Sequence, residues 1–234
     1  MPQENLEPFF RWYKGTDQPQ QMEAVQLLQS AIPDSLLKSD SAWIVKYREK
    51  PAVPHLDNPL QVDYDSQLDN PSGDGWRECF SSSCAMAAKY WGAIKEFNEY
   101  HRLRPKYGDS TDPSAQIRTL QALGLHAQFI QVGSIAMLKE QIDNGYPTPV
   151  GYLHHGTPQS PSGGGHYCLV VGYDATGFWM NDPYGLCDVD GAGGFVKQGG
   201  TSGKMVHYSY KGWGPRWTVA NDHDGWGMAI KPGK

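Results

Sequence analysis

Two cysteines lie five residues apart in the stretch WRECFSSSCAMAAKYWG, at positions 79 and 84. The serines and alanines of this stretch predict a helix whose first turn is capped by serine oxygens. Cys79 then lies at or just before the helix N-terminus, where unpaired N–H groups and the helix dipole favour a thiolate and could bind an oxyanion. Cys84 lies among alanines inside the helix and is predicted to be a buried, unreactive thiol. About 7.5 Å of axial rise and about 140° of rotation separate the two side chains, so we expect no disulfide between them.

A nucleophilic thiol needs a general base, and the base needs a partner that orients it. Of the eight histidines, His166 has the most suitable context, because it follows the glycine-rich SPSGGG and opens the strand-like run HYCLVVGYD. Together with GFWMNDPYG, this run predicts a β-hairpin. With a three-residue loop that ends on a left-handed Gly177, Asp182 falls opposite Val170 and on the face that carries His166. Asp182 is therefore the preferred orienting residue, and Asn181 is the alternative if the turn differs by one residue.

Three other interpretations remain open. The cysteines and histidines form neither a CxxC pair nor a helical histidine pair, so a zinc site is the weaker interpretation of these residues. The stretch DVDGAGG from Asp188 resembles the opening of a calcium loop but has no distal glutamate, and we interpret it as a turn. The aromatic side chains of MVHYSYKGWGPRW belong either to the core or to a substrate groove.

The elements that would position these residues follow from periodicity and from the placement of glycine and proline. Residues 20–32 and the run AWIVKYR predict a helix and a strand, and the proline-bearing segment 49–59 predicts a boundary. We therefore expect an N-terminal appendage over residues 1–55 and a main domain over residues 60–234. The main domain is predicted to contain a short strand at 61–64, helices near 113–122 and 134–144, strands at 126–132 and 150–153, a mobile SPSGGGH loop and a β-rich C-terminal half.

Composition argues against several classes of function. The chain of 234 residues has a formal net charge of −5 and no run of lysine or arginine, so nothing in it favours binding to nucleic acid or to an anionic membrane. No segment approaches the roughly 20 apolar residues of a membrane span, and the N-terminus lacks the pattern of a secretory signal. We therefore expect a soluble protein without membrane insertion, cytoplasmic in the cell that produces it, whose four cysteines are thiols.

Taken together, the motifs resemble a known family, the papain-like cysteine peptidases related to the bacteriocin leader (double-glycine) peptidases, in their stand-alone bacterial and phage form. CFSSSCAMAAKYWG is similar to the cysteine-bearing helix of the family, and GHYCLVVGYD followed by NDPYG is similar to its histidine and aspartate segments. The resemblance extends over about residues 60–185. It implies an α+β papain-like fold in which N-terminal helices pack on an antiparallel β-sheet, without a cofactor or metal. It also implies Cys79 as nucleophile, His166 as base, Asp182 as its partner, and Gln67 in DYDSQLDNP as a donor to the oxyanion.

These expectations favour a cysteine peptidase that hydrolyses amide bonds in a peptide or in peptidoglycan. By analogy with stand-alone members, we expect a phage-type peptidoglycan hydrolase, either an endolysin or a virion-associated lysin that contacts other phage structural proteins. A protein-processing peptidase is the alternative enzyme. The non-enzymatic alternative is a structural or binding component of a phage tail that retains the peptidase fold.

Overall fold

The computed structural model describes residues 58–71 and 75–233. The helix predicted for residues 20–32, the strand AWIVKYR and the appendage over residues 1–55 lie outside the described residues. The division into an appendage and a main domain therefore stays a prediction.

In the described residues, three α-helices precede the first strand. They are α1 (Cys79–Tyr90), α2 (Phe97–Leu103) and α3 (Pro113–Ala122). Two more helices, α4 (Ile135–Asp143) and α5 (Tyr210–Trp217), lie among the strands, and short 3-10 helices span Gln67–Asp69, Gly75–Arg77 and Arg104–Lys106. None of the helices in the described part of the chain has the length and apolar character that a bilayer crossing requires.

Six strands form one antiparallel sheet in the order β1-β10-β2-β5-β6-β9. Their bounds are Leu125–Gly133 for β1, Thr148–Tyr152 for β2, His166–Tyr173 for β5, Gly177–Asn181 for β6, Val206–Ser209 for β9 and Gly225–Pro232 for β10. Two small ribbons pair β3 (His155–Thr157) with β4 (Ser160–Ser162), and β7 (Gly185–Cys187) with β8 (Phe195–Gln198). The predicted α+β fold, with N-terminal helices on an antiparallel sheet, is confirmed.

The helix α1 lies close to the sheet because its side chains are short. Every residue from Phe80 to Ala88 is buried, and alanines at 85, 87 and 88 let the helix backbone approach β5. At the start of the helix, Phe80 stacks on Tyr167 of β5, with ring centroids 3.8 Å apart. This contact fixes the first turn of α1 beside the start of β5, so the ends that carry Cys79 and His166 meet.

Several local predictions agree with the structure, and others are wrong. The helices predicted near 113–122 and 134–144 are α3 and α4, and the predicted strands at 126–132 and 150–153 overlap β1 and β2. The strand predicted at 61–64 does not form, although Leu60 donates its N–H to Val171 O at 2.7 Å and Val62 is buried. The SPSGGGH loop is shorter than predicted, because Ser160–Ser162 pairs with β3. The C-terminal half is β-rich as predicted, with β5 to β10, and α5 interrupts its strands where the Ser209 side chain accepts the Gly212 N–H.

Candidate active site

Cys79 is the first residue of α1 and the one cysteine that reaches the surface. Cys84, Cys168 and Cys187 are buried free thiols. Burial raises the pKa of each of these three thiols, to about 11 for Cys187 and further for the other two, so they stay protonated at neutral pH. The prediction that Cys84 is buried inside the helix is confirmed.

The N-terminus of α1 presents unpaired backbone N–H groups at Cys79. Ser82 is the first residue whose N–H finds a helical acceptor, Glu78 O at 2.8 Å. The N–H of Cys79 therefore has no acceptor within the helix. The predicted serine caps are wrong, because Glu78 occupies the cap position and the Ser83 hydroxyl donates to Cys79 O at 2.8 Å from inside the helix.

His166 opens β5 and is almost completely buried. Its Nε2 lies 2.7 Å from Asp182 Oδ1, which leaves Nδ1 for a hydrogen bond to Cys79. Burial opposes protonation of the imidazole, but the charges of Asp182 and Cys79 and the hydrogen bonds to both outweigh it and raise the pKa of His166 to about 10. The structure therefore favours an imidazolium at neutral pH, held between a carboxylate and a thiol.

Asp182 reaches His166 through a register that differs from the predicted one. Tyr173 pairs with Phe178, and Asp174 donates its N–H to Gly177 O at 3.0 Å, which leaves a two-residue turn. Gly177 does not take the predicted left-handed conformation. A bulge at Val171 then adds one residue on β5, so that Leu169 pairs with Asn181 and Asp182 lies across from Cys168 instead of Val170. The shift from the predicted partner is two residues, which keeps Asp182 on the face of His166 because faces alternate along a strand.

Two tyrosines that sequence reasoning missed complete the surroundings of the Asp182 carboxylate. Oδ2 accepts from Tyr152 OH at 2.8 Å and from Tyr208 OH at 3.0 Å, while Oδ1 accepts from His166 and from the Tyr184 N–H at 3.1 Å. Burial, and after it the charge of Asp182, holds the pKa of Tyr152 and Tyr208 well above the ordinary value, so both hydroxyls remain donors. A fully buried carboxylate is thus satisfied by four donors.

Gln67 lies in the short 3-10 helix before α1 and is buried. Its Nε2 donates to Gly75 O at 2.6 Å, and the same carbonyl accepts the Glu78 N–H at 3.1 Å. Its backbone N–H donates to Pro183 O at 2.9 Å. Gln67 is therefore bonded through its side chain to the turn that precedes Cys79 and through its backbone to the residue that follows Asp182, and one N–H of its Nε2 remains for a further acceptor.

Aromatic rings enclose His166. Ring centroids of Phe195, Tyr152, His154 and Tyr184 lie 4.9, 5.5, 5.9 and 6.3 Å from that of His166. Burial, followed by the neighbouring His166 and His155, lowers the pKa of His154 to about 4, so His154 is neutral beside the imidazolium.

Arg216 of α5 fixes the chain that carries His154. The guanidinium is buried and donates to five backbone carbonyls, namely those of Leu153, His155, Gly156, Val189 and Gly191. One side chain thereby joins the exit of β2, the ribbon β3–β4 and the loop after β7.

The two open interpretations that concern the C-terminal half are now decided by contacts. Both Asp188 carboxylate oxygens accept backbone N–H groups, from Gly191 and Ala192, as in the predicted turn. In MVHYSYKGWGPRW, Tyr208, Trp213 and Trp217 are buried, and the two tryptophans stack with ring centroids 5.2 Å apart. These aromatic side chains belong to the core.

Comparison with known proteins identifies a family for this chain. The family model described as Peptidase_C39 like family matches residues 59–190, more than half of the chain. A C39-like peptidase from Bacillus anthracis is similar in structure with a TM-score of 0.50 and 14% identity, over 74% of this chain and 96% of that one. No curated protein matches the sequence.

Two further solved structures are similar at lower scores. The peptidase domain of Streptococcus ComA, described as a bifunctional ABC transporter involved in a quorum sensing pathway, has a TM-score of 0.43 and 20% identity, over 67% of this chain and 93% of that one. A double glycine motif protease from an AMS/PCAT transporter, solved with its leader peptide, has a TM-score of 0.44 and 14% identity, over 75% of this chain and 94% of that one. The family match is decisive: this chain belongs to the Peptidase_C39 like family, and its class is that of the cysteine peptidases.

Proposed function

We propose that this protein hydrolyses amide bonds through a triad of Cys79, His166 and Asp182. The observation that carries the proposal is that His166 binds the Asp182 carboxylate through Nε2, at 2.7 Å, while its other ring nitrogen remains for the thiol at the start of α1. A base bonded at once to a nucleophile and to an orienting group is the arrangement that covalent catalysis requires.

The proposed steps follow from these contacts. The Cys79 sulfur attacks the carbonyl carbon while its proton resides on His166 Nδ1, and the Cys79 N–H with Gln67 Nε2 stabilises the oxyanion. The imidazolium then protonates the amide nitrogen, the C–N bond breaks, and a thioester remains on Cys79. Water attacks the thioester as His166 takes its proton, and the thiol and the free acid are released.

For the substrate we propose the peptide part of peptidoglycan, cleaved in a phage-type lytic role. Support comes from Trp76, which lies three residues before Cys79 and is 68% exposed. An exposed indole face suits the sugar rings of a glycan strand that carries the scissile peptide. We propose with it a cytoplasmic location in the producing cell or a place in the virion beside other phage structural proteins.

A linear protein segment is the second candidate substrate. The family match favours it, because the matched family is one of peptidases.

The experiment separates these substrates from each other and from a non-catalytic role. The protein, Cys79→Ala and Cys84→Ala are each incubated with purified peptidoglycan and, separately, with a library of linear peptides, and mass spectrometry identifies the new ends. We expect new amino ends from peptidoglycan with the parent protein and Cys84→Ala but not with Cys79→Ala. Cleavage of linear peptides alone would favour the processing role, and no cleavage of either would favour a structural component.

A further inference from the structure

A second buried histidine, His101, bonds to both ends of the loop that carries Gln67, residues 65–70. It lies in α2, and its side chain is 1% exposed. Its Nε2 is 2.8 Å from Asp65 Oδ2, and its Nδ1 is 2.9 Å from Asn70 Nδ2. Asp65 and Asn70 flank the 3-10 helix Gln67–Asp69 on its two sides, so one imidazole ties both ends of that helix to α2.

The partners of His101 define its tautomer. Asn70 Nδ2 can only donate, so Nδ1 of His101 accepts. Nε2 then carries the proton and donates to Asp65. Both ring nitrogens are satisfied, which leaves His101 no polar atom for contact with a substrate and limits it to a role in holding the loop.

The loop needs such a constraint if Gln67 is to act in catalysis. A three-residue 3-10 helix has little stability of its own. A donor to an oxyanion must be held close to its working position, because a misplacement of about 1 Å costs on the order of 100-fold in rate. Gln67 itself bonds to Gly75 and Pro183, and its carbonyl accepts the N–H of Asn70, one of the two partners of His101, at 3.3 Å.

We propose that His101 is a positioning residue that acts through Asp65 and Asn70 to keep Gln67 Nε2 directed at the oxyanion formed on Cys79. The inference rests on the proposed function, in which Gln67 is one of the two donors to that oxyanion. It adds a residue from α2 that neither sequence motifs nor the family match assign.

Two small reagents distinguish stabilisation of the oxyanion from the reactivity of the thiol. Iodoacetamide forms a C–S bond with Cys79 and releases iodide, with no oxyanion. p-Nitrophenyl acetate acylates Cys79 through a tetrahedral oxyanion and releases nitrophenolate, which is followed by absorbance after subtraction of the Cys79→Ala rate. The ratio of the two rate constants therefore reports stabilisation of the oxyanion, whatever the natural substrate.

We expect His101→Leu to lower the ester rate about tenfold or more while the iodoacetamide rate is unchanged. Gln67→Ala should show the same selective loss, on the order of 100-fold. His101→Gln should recover part of the ester rate, because its carboxamide offers one donor and one acceptor, as the neutral imidazole does. Asp65→Ala removes one of the two hydrogen-bond partners of His101. If His101→Leu does not fold, this variant should show the same selective loss of the ester rate.

The matched control is Tyr100→Phe. Tyr100 is the buried neighbour of His101 in α2, and its hydroxyl donates to Gln116 Oε1 at 2.7 Å, away from the Gln67 loop. We expect this variant to keep the ratio of the two rates. A selective loss in Gln67→Ala without one in His101→Leu and Asp65→Ala would overturn the role of His101 alone. Ester acylation that does not depend on Gln67, or on His166, would overturn the proposed function as well.

Discussion

Replacing Asp182 with asparagine removes one negative charge from the centre of the site with little change in shape. Four donors reach this carboxylate, from His166, Tyr152, Tyr208 and the Tyr184 N–H. A hydrogen bond to a charged acceptor contributes about 1.5–3 kcal/mol and a neutral one about 0.5–1.5, so each bond weakens by about 1 kcal/mol. The asparagine NH2 is tolerated on the tyrosine side, because the Tyr208 hydroxyl can turn its proton to Gly185 O, 3.4 Å away. We therefore expect Asp182→Asn to fold with a free energy of unfolding lower by about 3–4 kcal/mol.

The charge change has a larger effect on His166. Burial lowers the pKa of this imidazole, and Asp182 is the first of the groups that raise it to about 10. Without the carboxylate, burial prevails and the imidazole is neutral at pH 7. The parent protein keeps an imidazolium beside the thiol up to about pH 10. The variant has no such cation beside Cys79, and a thiol without a neighbouring cation is alkylated more slowly at neutral pH.

The assay is the pH profile of iodoacetamide alkylation at Cys79, read by mass spectrometry of the Cys79 peptide. At pH 6.5 we expect Asp182→Asn to react about 10- to 100-fold more slowly than the parent. Asp174→Asn is the matched control, because Asp174 also accepts from a histidine, His207, but lies at the β5–β6 turn. An Asp182→Asn profile that coincides with the parent profile would refute the imidazolium assignment.

Stability has a pH dependence of definite sign. Folding raises the pKa of His166 above its ordinary value of 6.5, so the protonated imidazole contributes its full stability below about pH 6.5 and loses it as the pH rises through about 10. The difference in free energy of unfolding between the parent and Asp182→Asn should therefore shrink over that interval. Urea unfolding at several pH values measures it, and a difference that grows with pH would contradict the sign.

Four substitutions test the site and its surroundings. Cys84→Ala should keep alkylation and turnover, since that thiol is buried and protonated, whereas Cys79→Ala should lose both; the reverse pattern would exchange the two assignments. Tyr208→Phe removes a donor to Asp182 and an acceptor for the Cys187 N–H, 3.0 Å away, and should lower the free energy of urea unfolding by about 2–3 kcal/mol. Arg216→Met leaves five backbone carbonyls without this donor and should cost about 3 kcal/mol or more, so a melting temperature equal to that of the parent would exclude the bridging role of the guanidinium.

The residues that the sequence alone identifies lie in elements that local sequence patterns predict. Alanines and serines predict α1 and place Cys79 at its first turn, and alternation with a turn predicts the hairpin that presents His166 and Asp182. α2 was not predicted, because its seven residues are too few for a periodic pattern and its start depends on a capping box between Glu96 and Glu99.

The residues that support the site could not be found in this way, because they come from distant elements. Tyr152 reaches Asp182 only because β2 pairs with β5, and Tyr208 only because β9 pairs with β6. His101 contacts Asp65 and Asn70 across more than thirty residues of chain. No short-range pattern encodes these pairings. The sheet order, with β10 between β1 and β2, likewise depends on pairing between segments that are distant in sequence.

The turn and the bulge in the β5–β6 hairpin determine which insertions and deletions between His166 and Asp182 keep Asp182 on the face of His166. Relative to the predicted hairpin, the shorter turn and the extra Val171 each displace the register by one residue, and together they preserve the face of Asp182. A single added or deleted residue in this segment would instead present Asn181 to His166 and bury the wrong side chain. We expect activity to be kept only when the number of added or deleted residues is even, or when a second bulge compensates. In an engineered library that varies only the length of the turn, active variants should therefore alternate with inactive ones as residues are added one at a time.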